Sequence, residues 1–289
     1  MKTRTGNLPI GWRRRNFSWE KDLGSMVDWG KSNGLEVIDL GTDGNTLAKQ
    51  VLDAGMRVGT VDLEIWKEMI SADKGKRADA VAKNAEYIKQ CAALGVKNFF
   101  IAMVPEDKEK TRSENFGYMV ESYSALAPTF EANKAHLVIE GWPGPGALVC
   151  TPEGYRAFIE KVGSKSMGIN YDPSHLVRMG IDPIRFLEEF ISSIFHVHGK
   201  DCMIDHHQLY EYGNYQAPTF GKEYAYGSMH WRYTIPGHGV SDWVKILNIL
   251  AENGYQGAVC IELEDAHYDD TAELQKLGVT QGAKFLAGC

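Results

Sequence analysis

FHVHGKD, residues 195–201, is the stretch on which the fold turns. Together with Ile194 it reads as a buried strand that ends in a histidine and runs into Gly199, Lys200 and Asp201. We expect His196 and His198 on different faces, with His198, at the strand's end, directed into a site. Three other apolar runs end in the same way on a hard ligand: HLVIE at Glu140, GINYD at Asp172, and AVCIELE at Glu262 or Glu264. Four consecutive strands that bring Glu, Asp, His and Glu to their C-terminal ends make the donor set of a divalent metal site.

Outward from this stretch the chain alternates strand and helix. Upstream, the pattern predicts strands at 8–12, 35–40, 57–63, 98–103, 136–140 and 167–172, and downstream one at 258–264. The helices between them are written in their ends. One starts from an N-cap at Ser18 and stops at Gly34; Thr151 with Pro152, and Asp182 with Pro183, are caps followed by proline at the first helical position. Pro128 is expected to kink or divide the helix at 114–133. The longest connection, 201–236, is dense in tyrosine and histidine, and a structureless loop of that length serves as a lid or a subunit contact. Apolar strands alternating with helices mean a parallel sheet covered on its outer face, and no GxGxxG turn follows the first strand. The expected fold is α/β: a single (β/α)8 TIM barrel over residues 1–289, with an insertion at 201–236. Chemistry in such barrels sits at the C-terminal strand ends, where all four candidate ligands fall.

The composition, 44% hydrophobic and 24% charged, is that of a soluble globular protein. A net charge of −7 disfavours nucleic acid as a partner, and the tight basic cluster Arg13, Arg14 and Arg15 reads as ion pairs or a solvated loop at the barrel mouth, or a site for a phosphate or acidic sugar. Five widely spaced cysteines without a C-x-x-C pair argue against a disulfide framework and a zinc knuckle. The N-terminus lacks an apolar signal region, and no window approaches the roughly 20 apolar residues of a membrane span. These features predict a cytoplasmic protein with no membrane partner. The aromatic loop predicts a homo-oligomer, a dimer or tetramer, or a hetero-subunit.

A single carboxylate at a strand end is more often a helix cap or an ion-pair partner than a ligand. Three crowded together without a cation would repel one another, which makes the set stronger than its members. Three oxygen ligands and one imidazole favour Mn²⁺, or Mg²⁺ or Co²⁺, over a closed structural zinc. Around them, His175 can donate to a substrate oxygen, and Lys200 and Arg232 are further substrate-binding candidates. Trp142 and Trp12 can stack on a sugar face.

These residues resemble the xylose-isomerase-like (β/α)8 superfamily, which includes ketose 3-epimerases, inosose dehydratases and sugar phosphate isomerases or epimerases. The resemblance rests on Glu140, the D-x-x-H of Asp172 and His175, the H-x-H-x-K-D of residues 196–201, the P-G-H-G-V-S-D-W of residues 236–243 and the I-E-x-E-D of residues 261–265. It implies Glu140, Asp172, His198 and Glu262 as metal ligands, choosing Glu262 over Glu264, and His175 as a substrate contact. Glu140, Glu262 and His175 are then the catalytic candidates. Ketose 3-epimerases look to carry a glutamate where this chain has Gly146 and an arginine where it has Ile204. The WPGPG loop and the 201–236 insertion are more similar to the broader isomerase or epimerase branch, which is related to enzymes acting on 3-keto-glycosides by β-elimination. The expected activity is a metal-dependent isomerisation or epimerisation of a small keto sugar through an enediolate. A lyase or dehydratase on a 3-keto-glycoside or inosose is the alternative. An apurinic endonuclease is disfavoured by the acidic charge and by a fourth strand without histidine, and a binding subunit by the complete ligand set.

Overall fold

The computed structural model describes residues 1–289. Its elements are β1 (Ile10–Arg13), α1 (Leu23–Ser32), β2 (Val37–Asp39), α2 (Gly44–Asp53), β3 (Arg57–Val58), β4 (Thr60–Asp62), α3 (Lys74–Ala93), β5 (Asn98–Ala102), α4 (Arg112–Ala132), β6 (His136–Glu140), α5 (Pro152–Val162), β7 (Met167–Tyr171), α6 (Pro173–Arg178), α7 (Pro183–Phe190), β8 (Ile194–Gly199), β9 (Asp201–Ile204), α8 (His206–Tyr212), β10 (Trp231–Thr234), α9 (Trp243–Glu252), β11 (Val259–Ile261) and α10 (Ala272–Gly288).

Nine strands form one sheet in the order β3-β2-β1-β11-β8-β7-β6-β5-β4. Its two end members are halves of the one strand expected at 57–63, parted at Gly59. The Gly59 N–H still donates to Ile38 O, and the Leu40 N–H to Thr60 O, so the ladder to β2 continues past the break. The pairings of β1 with β11, β11 with β8, and β4 through β7 in succession are parallel. This is the strand order of a (β/α)8 barrel.

By contact density the chain divides into two units, residues 1–37, 172–189 and 197–289 in one and 38–171 and 190–196 in the other. In the first, Trp12 packs edge-on against Trp29 with ring centroids 5.6 Å apart, and Trp243, Ile246, Leu247 and Leu250 form the buried stripe of α9. In the second, Phe99 meets Tyr87 and Phe130 edge-on at 6.1 and 5.6 Å, and Tyr123 meets Phe158 at 5.7 Å. Each such side chain contributes roughly 1.5–3 kcal/mol on full burial.

Three expectations are corrected. Ser18 opens only a short 3-10 turn, and Asp22 caps α1, its carboxylate accepting the Ser25 N–H at 2.8 Å. The reason is Glu20, whose Oε2 accepts the Arg15 and Phe17 N–H groups at 2.9 Å each and so holds the chain in a turn until residue 22. Of the two outcomes expected at Pro128, division does not occur: α4 runs through it, and the buried face of Leu126, Ala127 and Phe130 carries the helix past the missing N–H. Residues 201–236 are not structureless. β9 and β10 form an antiparallel ribbon with Ile204 opposite Trp231 and Asp201 opposite Thr234, and α8 lies between them. The ribbon forms because Cys202, Trp231 and Tyr233 bury together. No helix is long and apolar enough to cross a membrane.

Candidate active site

Asp172 follows β7 directly and is the N-cap of α6, held extended before Pro173 at φ −126°. Its Oδ1 accepts the Ser174 N–H at 2.9 Å and the Ser174 hydroxyl at 2.6 Å. Its Oδ2, buried and without a hydrogen-bond partner, lies 3.1 Å from Lys200 Nζ. The residue is thus both a helix cap and a site residue, with one oxygen for each role.

His198, on β8, is fully buried, with Nδ1 3.6 Å from Glu262 Oε2. Glu262 follows β11 and also pairs through Oε1 with Arg13 Nε at 3.3 Å and through Oε2 with Lys200 Nζ. Burial works to raise the Glu262 pKa, but the Lys200 ammonium, the His198 ring and Arg15 outweigh it and hold the carboxyl well below its usual range. Glu264 sits 3.0 Å from Lys200 Nζ and 2.7 Å from Arg15 Nη1, and its pKa is lowered on the same balance. Lys200, 1% exposed, is therefore the common cation of three carboxylates, and it pairs with these rather than with its neighbour Asp201.

Glu140 ends β6 and is buried opposite Asn170 of β7, whose Nδ2 donates to its Oε1 at 2.9 Å. One ligand atom from each of Glu140, Asp172, His198 and Glu262 lies within 4.8 Å of the others. The donor set fits a divalent cation: three carboxylates and an imidazole, one Asp172 oxygen with no hydrogen bond, and a field that already draws in an ammonium. His196 corrects an expectation. Residues two apart on a strand share a face, and His196, His198 and Asp39 come within 4.8 Å of one another. The His196 Nε2 is 2.9 Å from Asp39 Oδ2, while Asp39 Oδ1 accepts the Thr60 N–H at 2.8 Å.

His175 is buried in α6, with Nε2 3.5 Å from Asp172 Oδ2 and 3.4 Å from Lys200 Nζ. Its Nδ1 is 2.6 Å from the Tyr233 hydroxyl, which accepts from Arg178 Nη1 at 2.7 Å. If Nδ1 carried the proton, the buried Tyr233 O–H would be left with no acceptor in this trio. With the Lys200 ammonium engaged by its three carboxylates, Tyr233 can donate to Nδ1, which puts the imidazole proton on Nε2, 3.5 Å from Asp172 Oδ2. Burial raises the Tyr233 pKa, so the hydroxyl stays a donor. Tyr233 and Arg178 were missed as site residues. The signal for Tyr233 was the W-R-Y run at 231–233, legible only as part of an aromatic loop; Arg178, three residues past His175 in α6, carried none.

The other candidates are placed as follows. Asp201 is buried and accepts the Cys202, Gly237 and Ser241 N–H groups at 2.8, 3.2 and 3.0 Å. A Cβ at Gly239 would stand 2.3 Å from its Oδ1, so the P-G-H-G-V-S-D-W turn is a cradle for this carboxylate. Arg232 donates to Asp265 Oδ1 at 2.8 Å and ties the ribbon to the chain after β11. Trp12 is buried against Trp29 rather than presented to a ligand, whereas Trp142 is 37% exposed. Arg13 and Arg15 are ion-pair partners of Glu262 and Glu264, one of the alternatives open for the basic cluster.

A family model described as the xylose isomerase-like TIM barrel matches residues 26–289. An inosose dehydratase of Clostridium tetani (strain Massachusetts / E88) is 29% identical over 159 residues, 55% of this chain and 50% of that protein. The chain thus spans about half the length of that curated relative. Among solved structures, the 3-keto-D-glucoside 4-epimerase YcjR of E. coli superposes with a TM-score of 0.71 at 15% identity, covering 98% of this chain and 100% of that one. The IolI protein with a bound zinc superposes at 0.69 with 16% identity, covering 97% and 98%. At such identities the two structures speak for the fold alone. With its strand order and this match over 26–289, the chain belongs to the xylose isomerase-like TIM barrel family.

Proposed function

We propose that this protein is a divalent-metal-dependent isomerase or epimerase of a keto sugar or sugar derivative. The observation that carries the reading is the convergence of Glu140, Asp172, His198 and Glu262 at the C-terminal ends of four parallel strands. These four residues would hold the ion, and manganese suits three carboxylates and one imidazole, with magnesium or cobalt as substitutes. When bound, it supplies positive charge to the oxygens of the enediolate that forms when a proton leaves the carbon next to the carbonyl. Glu262, kept ionised by Lys200, His198 and Arg15, can accept that proton at a carboxylate oxygen, and Glu140 is the second carboxylate able to accept or return one. His175 Nε2–H donates to a substrate oxygen, and the Lys200 ammonium adds positive charge beside it. Return of the proton to the opposite face of the same carbon gives epimerisation; return to the neighbouring carbon gives isomerisation.

A lyase or dehydratase acting through the same enediolate is the second reading, and two positions favour it. Gly146 has φ +83°, the left-handed region that suits glycine, and a Cβ there would stand 3.2 Å from the Lys108 side chain, so this position serves a turn. Ile204 pairs with Trp231 in the ribbon. Neither place carries the polar residue expected of a free-ketose epimerase, and the C. tetani relative is named an inosose dehydratase.

Incubation of manganese-loaded protein in D₂O with ketoses, inosose and 3-keto-glycosides, followed by NMR, tests both. Deuterium in a recovered or rearranged sugar, lost in Glu262→Gln, is the expected result for the first reading. An unsaturated product would assign the protein to the lyases. Absence of exchange across the panel, with metal bound, would sink the enediolate proposal.

A further inference from the structure

Beside the end of β6 lies a cavity of about 250 Å³, walled by Leu63, Trp66, Phe100, Val104 and Trp142. Ala102, also in its wall, pairs in register with Glu140, and Trp142 follows Glu140 by two residues, so the cavity adjoins one of the proposed ligands. Its polar side chains are Thr42 and Asp62. The nearby backbone is engaged in the sheet, with the Leu63 N–H on Phe100 O at 3.0 Å and the Asp62 N–H on Gly41 O at 3.2 Å. Trp142 lies against the turn that follows it. A Cβ on Gly144 would stand 1.9 Å from the Trp142 ring, so only glycine lets the indole lie against the backbone there. The W-P-G-P-G stretch therefore holds an aromatic side chain, 37% exposed, against the mouth of an apolar cavity.

A sugar ring suits this half-open, largely apolar cavity less well than an aryl ring does. Each buried hydroxyl left without a partner costs about 1–3 kcal/mol, and two polar side chains cannot satisfy a ring's full set. A planar apolar group needs no such partners and gains from contact with the indoles and Phe100. A cavity of about 150 Å³ lined by apolar side chains is enough for a benzene ring, so this one holds an aryl ring with room for its linkage. We infer that the cavity is a subsite for an aryl group joined to the sugar, so that the substrate is an aryl-substituted sugar rather than a free ketose. The sugar half of this inference rests on the proposed function; the preference for an aryl group does not.

Equilibrium binding of phenyl β-D-glucopyranoside and methyl β-D-glucopyranoside to the full chain, followed by NMR titration, tests it without turnover. The phenyl compound is expected to bind about tenfold or more tightly. Trp142→Ala and Trp66→Ala should bring the ratio near one. Gly144→Ala should lower it by displacing the Trp142 ring while keeping every aromatic residue. Val104→Trp, which fills the cavity, serves if the tryptophan variants do not fold, and should likewise remove the preference. Equal affinities in the wild-type protein, or a preference that survives these substitutions, would overturn the subsite. A phenyl preference in wild-type protein that shows no deuterium exchange with any sugar of the panel, metal bound, would leave the subsite standing and remove the enediolate reading alone.

Discussion

Tyr233 shows how one hydroxyl can decide the state of a neighbouring ring. It accepts from Arg178 and lies 2.6 Å from His175 Nδ1, where donation to that nitrogen would put the imidazole proton on Nε2. Tyr233→Phe removes the group that selects this tautomer, and a loss of about 10- to 100-fold in kcat/KM is expected. The melting temperature should stay close to wild type, since the ring and its packing remain. Asp201 has a structural task by contrast. Asp201→Ala strands the Cys202, Gly237 and Ser241 N–H groups in a buried place, and a loss of about 3 kcal/mol in denaturant unfolding is expected. The meeting of Glu140, Asp172, His198 and Glu262 was legible because each stands at the end of an apolar run. Lys200 as their shared cation was not, because its partners Asp172, Glu262 and Glu264 lie 28, 62 and 64 residues away in the chain.

Helix ends were the most readable elements where a side chain meets its own turn. Thr151 caps α5 by accepting the Gly154 N–H at 3.3 Å, with Pro152 at the first position, as its sequence predicts. Thr151→Ala should cost about 1 kcal/mol in thermal or denaturant unfolding. The start of α1 was misread because Ser18 and Asp22 both have cap chemistry, and the choice falls to Glu20, which binds two upstream amides. Asp22→Ala should lower the melting temperature, while Ser18→Ala should leave it unchanged. The ribbon of β9 and β10 was invisible for a related reason. Its alternation becomes a buried face only when Cys202, Trp231 and Tyr233 meet across 30 residues of chain.

At the scale of the molecule, all five cysteines are buried and none is in a disulfide. Burial pushes the Cys91 thiol up to about 11 and the Cys202 thiol up to about 12. A thiol-reactive chromogen at pH 8 should find no fast-reacting group in the native protein and all five cysteines after unfolding in guanidinium. Metal linkage provides a second global test: at 100 times its Kd, manganese should stabilise the fold by about 2.7 kcal/mol, and Asp172→Asn should abolish most of that gain.

The alternation of apolar strands and capped helices, the (β/α)8 order and the residue types at four strand ends were all written in the sequence, because they depend on periodicity and on contacts within a few residues. The tertiary structure alone decided which of those side chains share a proton or a charge. Lys200 among three carboxylates, Tyr233 on His175, His196 on Asp39 and Trp142 beside its cavity are meetings of groups distant in the chain or set by a folded turn. Such meetings depend on strand register and on how each loop folds back, which no local pattern encodes.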